Sequence, residues 1–161
     1  MSLDQAKHVF SELNRIVFNT ESTLNDEGMA RLILKEDWMP NVNFCYVENL
    51  DSMLVFAECG PIEESLEKDL LKDLLRRQFM FDLTNGIEYS IAPDNNFPVV
   101  QRMLPIPLLD GNKLLDILVE FVQEVARLRL VLLRRSDTND SASQAPDSAI
   151  EKFGNFSNFM A

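Results

Sequence analysis

The longest amphipathic pattern in the chain lies in residues 111–135. Large apolar residues recur there at alternating steps of four and three, which places them on one face of an α-helix. The stripe consists of Leu114, Leu118, Phe121, Val125, Leu128 and Leu132. Asp110 stands at the N-cap position, directly after a proline-containing stretch that cannot itself be helical. The pattern predicts a long helix that packs on a broad apolar surface, and a sheet is the expected partner.

Two earlier segments also have helical patterns. Residues 2–18 carry one apolar stripe, made of Leu3, Ala6, Phe10, Leu13 and Val17. A second helix is predicted to open at Gly60-Pro61 and to carry two adjacent stripes. One contains Ile62, Leu66, Leu70 and Leu74, and the other Leu71, Leu75 and Phe79. Two stripes predict burial over a wide arc, against the helix's own sheet and against a second subunit.

Strand-like segments fill the intervals between these helices. They cover residues 29–34, 42–48, 52–58, 87–92 and 97–103, and a tight Asn-Leu-Asp connection predicts a hairpin between the second and third. The third strand is apolar without a break from Met53 to Ala57, so both of its faces are expected to be covered, one by helices of this chain and the other by a partner. The order α-β-β-β-α-β-β-α predicts an α+β domain with an antiparallel sheet and three helices.

The composition changes after Arg135. Residues 136–147 are polar and predict a flexible linker, whereas the last nine residues contain Phe153, Phe156, Phe159 and Met160. We therefore predict a folded domain over residues 1–135 and a phenylalanine-rich tail over residues 136–161. The tail is expected to dock on an apolar patch, and the alternative is a simple extension of the core.

The charge of the chain excludes several classes of partner. Among 161 residues, 26 are acidic and 15 basic, which gives a net charge of -11. Such a chain repels nucleic acid and anionic lipid, so we expect neither nucleic-acid binding nor membrane insertion. The sequence shows no secretion signal, and Cys45 and Cys59 are expected to be free thiols in a reducing, cytoplasmic environment.

Residues that could carry out chemistry are scarce. His8 is the only histidine, no metal-ligand spacing is present, and the five glycines form no phosphate-binding loop. We therefore expect no cofactor, no metal and no enzymatic activity; a small enzyme that depends on His8 or Cys59 is the rival hypothesis. Trp38 lies in a predicted loop, where it either anchors a partner or folds back on the core, and the second interpretation is favoured.

Three segments in this order resemble the small acidic type III secretion chaperones of the Tir chaperone family. They are AECGPIEESLEKDLLKDLLRRQFMFDLTNG, IEYSIAPDNNFPVVQRMLPIPLLDG and NKLLDILVEFVQEVARLRLVL. The first segment resembles the family's third strand and second helix, the second its last hairpin, and the third its final helix. The likeness in element order covers residues 1–135. Two features depart from the family pattern: Gln78 stands where many relatives have asparagine, and the tail is longer than usual.

The resemblance implies a cytoplasmic homodimer that binds the N-terminal region of a secreted effector in extended form and keeps it soluble, without a nucleotide. The second helix would form the dimer interface through Leu71, Leu75 and Phe79. The effector would contact the first helix and the sheet through Leu13, Val17, Phe44, Tyr46 and Phe56. Ordinary core packing is the alternative for each of these positions. An adaptor or regulator of the same fold, unconnected with secretion, is the alternative function.

Overall fold

The chain folds into three helices and five strands in the predicted α-β-β-β-α-β-β-α order. The computed structural model describes residues 3–20, 22–62, 64–79 and 85–136, and the predicted tail lies outside them. The elements are α1 (Leu3–Phe18), β1 (Met29–Leu32), β2 (Val42–Val47), β3 (Ser52–Glu58), α2 (Glu64–Gln78), β4 (Glu88–Ile91), β5 (Pro98–Pro105) and α3 (Gly111–Ser136). The predicted α+β class with an antiparallel sheet is confirmed.

The five strands form one antiparallel sheet in the order β1-β2-β3-β5-β4. Side chains alternate between its two faces. One face, which we call the inner face, packs against α1 and α3. Its buried side chains are Val42, Phe44, Met53, Val55, Ala57, Val100 and Leu104. The ring of Phe10 on α1 meets the ring of Phe44 edge-on, with centroids 4.9 Å apart.

The predicted stripe of α3 forms the opposite side of this core. All six of its residues are buried, and Asp110 accepts a hydrogen bond from the Lys113 backbone N–H at 2.9 Å, as expected of an N-cap. A second contact comes from α1, where the Glu12 carboxylate accepts a hydrogen bond from the Gly111 N–H at 3.1 Å. A Cβ at position 111 would lie 2.6 Å from the Glu12 Cβ, so glycine permits this close approach of the two helices.

The start of α2 differs from the prediction. The helix begins at Glu64, after a non-helical segment that contains Gly60 and Pro61. Gly60 has a φ of +93°, and the guanidinium of Arg129 occupies the space where a side chain at position 60 would lie. That guanidinium donates hydrogen bonds to the Cys59 carbonyl at 2.9 Å and to the Trp38 carbonyl at 3.0 Å. The chain therefore turns around an arginine that is distant in sequence before the helix can start.

Candidate functional site: an outer sheet face and a groove beside α2

The second face of the sheet, which we call the outer face, carries a row of apolar side chains across four strands. Directly paired residues point to the same side, and the pairs Met29–Cys45, Cys45–Leu54 and Leu54–Met103 are continuous. We call Met29, Cys45, Leu54 and Met103 the outer row. Met29 is 43% exposed and Met103 38% exposed, and the other two are partly exposed. The sheet thus presents a band of apolar surface to solvent.

The next row of the outer face is mostly polar. It runs through Arg31, Asn43, Phe56, Gln101 and Glu88. Arg31 Nε donates to Asn43 Oδ1 at 3.0 Å, and Gln101 Nε2 donates to Glu88 Oε2 at 3.4 Å. Phe56 lies between these bonded pairs, and its ring is partly exposed. It therefore widens the apolar outer row at the centre of the sheet, while its neighbours give the band a polar border.

The two edges of the sheet are closed to different extents. At β4, the Gln78 side chain at the end of α2 accepts a hydrogen bond from the Tyr89 backbone N–H at 3.1 Å. At β1, Asn25 bonds both the N–H and the carbonyl of Met29, at 2.8 Å each. The alternation of an antiparallel ladder directs the backbone of Arg31 toward the same free side of β1. That edge therefore keeps a short open stretch beyond Met29.

A second apolar surface lies between α2 and the free side of β4. A cavity of about 250 Å³ is lined there by Leu71, Leu74, Leu75, Tyr89, Ser90 and Ile91, and we call it the α2 groove. Leu74 is buried at its base, and Leu71 is half-buried. Leu75 is 68% exposed, and Phe79, one turn further on, is 73% exposed. Large apolar side chains with this exposure on one helix indicate a surface that a partner covers.

A polar cluster fixes α2 against the rest of the domain. The Glu124 carboxylate on α3 accepts hydrogen bonds from Arg127, the shortest at 2.7 Å, and from the Tyr89 hydroxyl on β4. Arg77 of α2 lies 3.5 Å from the same carboxylate. Burial, together with the hydrogen bond to Glu124, raises the pKa of Tyr89, which keeps its hydroxyl protonated as a donor. The cluster therefore joins α2, β4 and α3 and sets the direction of the α2 groove.

The structure brings some of the predicted contact residues together and separates others. Leu71 and Leu75, predicted for a dimer interface, share the α2 groove, and Phe79 is exposed nearby. Phe56, predicted for the effector surface, lies on the outer face, whereas Val17 and Tyr46 are partly buried against the core.

Two residues predicted for the effector surface lie inside the core. Leu13 and Phe44 are each 1% exposed, so a bound segment cannot touch either side chain in this conformation. Phe44 pairs with Val55, and Phe56 therefore points to the opposite face. The apolar sequence of β2 gave no indication of which face each residue occupies. The same ambiguity concealed Met29, Leu54 and Met103; only the strand register brings these three together.

The other candidate residues have ordinary surroundings. His8 is exposed on α1, 3.5 Å from Glu12. Trp38 packs partly on the core, as the favoured interpretation expected. Cys59 is buried, and burial raises the pKa of its thiol to about 12. Within the described residues, no three His, Cys, Asp or Glu side chains are grouped to hold a metal ion, and no helix there is long and apolar enough to span a membrane.

Solved structures with this architecture include complexes of type III secretion. A structure of the Yersinia pestis chaperone SycH with a stable fragment of YscM2 matches with a TM-score of 0.61 and 19% identity, over 76% of this chain and 98% of that chain. The Pseudomonas aeruginosa ExoU–SpcU complex matches with a TM-score of 0.62 and 16% identity, over 77% and 97%. The P. aeruginosa ExoT–SpcS complex matches with a TM-score of 0.55 and 13% identity, over 78% and 96%. At such identities the likeness shows a shared fold.

Family membership rests on the sequence itself. No curated protein sequence matches the chain. The model of the Tir chaperone protein (CesT) family, however, matches residues 12–129, from within α1 to the sixth turn of α3. That range is well over half of the chain and includes both the outer face and the α2 groove. The chain therefore belongs to the Tir chaperone protein (CesT) family.

Proposed function

We propose that this protein is a cytoplasmic chaperone that binds the N-terminal region of a type III secreted effector and keeps it soluble and competent for secretion. The uncovered outer row, on a fold of the CesT family, is the observation that carries the proposal. Similar chains are described in complexes, such as SycH with YscM2 and SpcU with ExoU. Holding a client requires apolar contact area and no reactive group, so no enzymatic activity is proposed.

The client would lie in extended form across the outer face. An extended chain presents alternate side chains to one surface, and each large apolar side chain that becomes buried contributes about 1.5–3 kcal/mol. Leu54, Phe56 and Met103 offer such contacts at the centre of the sheet. Tyr46 and Val17 lie on the side of the sheet that α1 covers, so a client on the outer face would not contact them. The net charge of -11 favours clients that are neutral or basic.

We further propose that the protein is a homodimer through the α2 groove. Leu71 and Leu75 line the groove, and Phe79 would enter the partner's surface. A symmetric interface of this kind buries the same patch on both subunits. Leu75 and Phe79, which are exposed in the single subunit, would therefore be covered in each of the two copies. The outer face points elsewhere on the domain and stays free to bind a client in the dimer.

The proposal is tested by mutating the outer row and measuring client binding. Calorimetry would compare wild-type protein, Leu54→Asp and Leu108→Asp with N-terminal segments of secreted effectors. Leu108 is the matched control because it is exposed outside both surfaces. We expect Leu54→Asp to lower the affinity at least tenfold, since it buries an unpaired charge. Leu108→Asp should bind as wild type.

The outcomes separate the surface from the function. Equal affinity of both variants would remove the outer face from the proposal. Absence of binding to any effector segment would contradict the chaperone function. Co-purification of a cytosolic protein that is never secreted would favour an adaptor of the same fold.

A further inference from the structure

The end of α3 lies at the same end of the sheet as Phe56. Arg129 on α3 bonds the carbonyls of Cys59, directly after β3, and of Trp38, shortly before β2. Ser136, the last residue of α3, lies seven residues further, which is about 10 Å of helix. The last described residue of α3 therefore lies beyond the end of β3.

The residues that follow α3 lie outside the part of the chain that matches its relatives. The matched structures are covered over 95–98% of their own length but account for only 76–81% of this chain. The family model ends at residue 129. The surplus is nevertheless apolar, because Phe153, Phe156 and Phe159 fall within seven residues of one another. Aromatic side chains at this density need a surface to cover them.

The linker is long enough to bring these rings to the outer row. Residues 137–152 separate Ser136 from Phe153. A flexible chain of that length has an end-to-end distance of roughly 22 Å, and four adjacent strands span about 15–20 Å. The tether would give the rings an effective concentration on the order of 1 mM at the sheet. Weak contacts are then sufficient to keep the row occupied.

The chemistry of the outer row suits aromatic rings. Three of its four residues, Met29, Cys45 and Met103, carry sulfur, and thioethers make favourable contacts with the edges of aromatic rings. The α2 groove is the alternative docking place, but the exposed Leu75 and Phe79 give it an aliphatic and aromatic surface of its own.

We propose that residues 148–161 bind in cis over the outer row through Phe153, Phe156 and Phe159, and that a client must displace them. The docking is inferred from the length of the linker and from the exposed outer row. The displacement by a client rests, in addition, on the proposed function. The tail then acts as a built-in competitor that covers the apolar band when no client is present.

Cys45 lies within the outer row and reports its coverage directly, while buried Cys59 serves as an internal reference for folding. The full-length variant Phe153→Ser/Phe156→Ser/Phe159→Ser would be compared with a linker control, Thr138→Ala/Ser141→Ala/Ser143→Ala. Both variants keep the length of the tail. With iodoacetamide and no client present, we expect Cys45 to react at least threefold faster in the phenylalanine variant than in wild type. The control should react at the wild-type rate.

A second measurement supplies the tail as a separate peptide. A synthetic peptide of residues 148–161, added to the phenylalanine variant, should slow the alkylation of Cys45, whereas a scrambled peptide should not. Equal Cys45 rates in all three proteins, or equal effects of the two peptides, would overturn the docking.

The displacement has its own test. If an effector segment binds wild type and the phenylalanine variant equally well by calorimetry, the competition is overturned although the docking stands. Several-fold tighter binding to the phenylalanine variant is the expected result. Because the Cys45 measurement contains no effector, it succeeds or fails independently of the chaperone function.

Discussion

The apolar strand β3 contributes side chains to both the inner and the outer face of the sheet, and the two sets differ in burial. In β3, Met53, Val55 and Ala57 are fully buried beneath the helices, whereas Leu54 and Phe56, between them, stay partly exposed. Helices of this chain cover one face of the strand, as predicted, and among the described residues the other face is left for the predicted partner. A continuous apolar strand can therefore divide its residues between folding and binding.

The largest expected difference is in the reactivity of the two thiols. Cys59 is buried with a pKa of about 12, while Cys45 lies on the outer face. Because burial raises the pKa of Cys59 well above its ordinary value, very little of this thiol is ionised and reactive at pH 8. Alkylation followed by mass spectrometry should therefore label the partly exposed Cys45 at least about 100-fold faster than the buried Cys59. Similar rates would mean that the two faces are equally open.

The same burial predicts a stability trend in alkali. The unfolded thiol ionises near its ordinary pKa of 9.0, whereas folded Cys59 stays neutral to about pH 12. Its contribution to stability is therefore complete below pH 9 and is lost as the pH rises from 9 toward 12. Cys59→Ala should flatten the fall in the free energy of unfolding over this range. An unchanged slope would contradict the raised pKa.

A pair of phenylalanine substitutions tests the two faces energetically. Phe44→Ala removes a buried ring that packs edge-on against Phe10, and we expect a loss of about 3–5 kcal/mol in the free energy of unfolding. Phe56→Ala acts on the outer face and should cost about 1 kcal/mol or less. Urea unfolding of both variants measures the difference. Equal losses would show that the outer face contributes to the core.

The α2 groove extends the comparison to a surface that is proposed to bind a second copy. Leu75→Glu should raise the dimer dissociation constant about 100-fold, because it places an unpaired charge in an apolar contact. The stability of the isolated domain should change little, since Leu75 is largely exposed. Light scattering over a dilution series measures the dissociation, with Leu108→Glu as the exposed control. A variant that dimerises as wild type would exclude Leu75 from the interface.

The smallest expected effect concerns the closed edge of the sheet. Gln78→Ala removes the acceptor of the Tyr89 N–H and should lower stability by about 1 kcal/mol. Hydrogen exchange of the Tyr89 amide should become faster, while Gln123→Ala, an exposed change on α3, should alter neither quantity. Unchanged exchange would show that α2 closes this edge without help from Gln78.

Elements with a strong local pattern could be predicted from the sequence. The stripe of α3, its cap at Asp110 and the bounds of β3 are as expected, because each depends on a periodicity or a cap within a few residues. The start of α2 could not be predicted. Gly60-Pro61 resembles a helix start, but the competing guanidinium of Arg129 comes from α3 and is 69 positions away.

The candidate site was less accessible to sequence reasoning. β2 is apolar at adjacent positions, so Phe44 and Cys45 were equally plausible on either face, and only packing against Phe10 decides between them. The outer row combines residues from four strands, and its members become neighbours only through the register of the sheet. Gln78 was visible as a departure from the family pattern, but its bond to β4 required the fold.

The hydrogen bond between Glu12 and the Gly111 N–H joins α1 to α3, across a separation of 99 residues. During synthesis α1 and the sheet emerge before α3, so the inner face has only half of its cover until about the final 25 residues of the domain have left the exit tunnel. A nascent chain of this protein therefore carries exposed apolar strands for most of its translation. Apolar strands that stay exposed in this way make the nascent chain prone to aggregation until α3 packs on them.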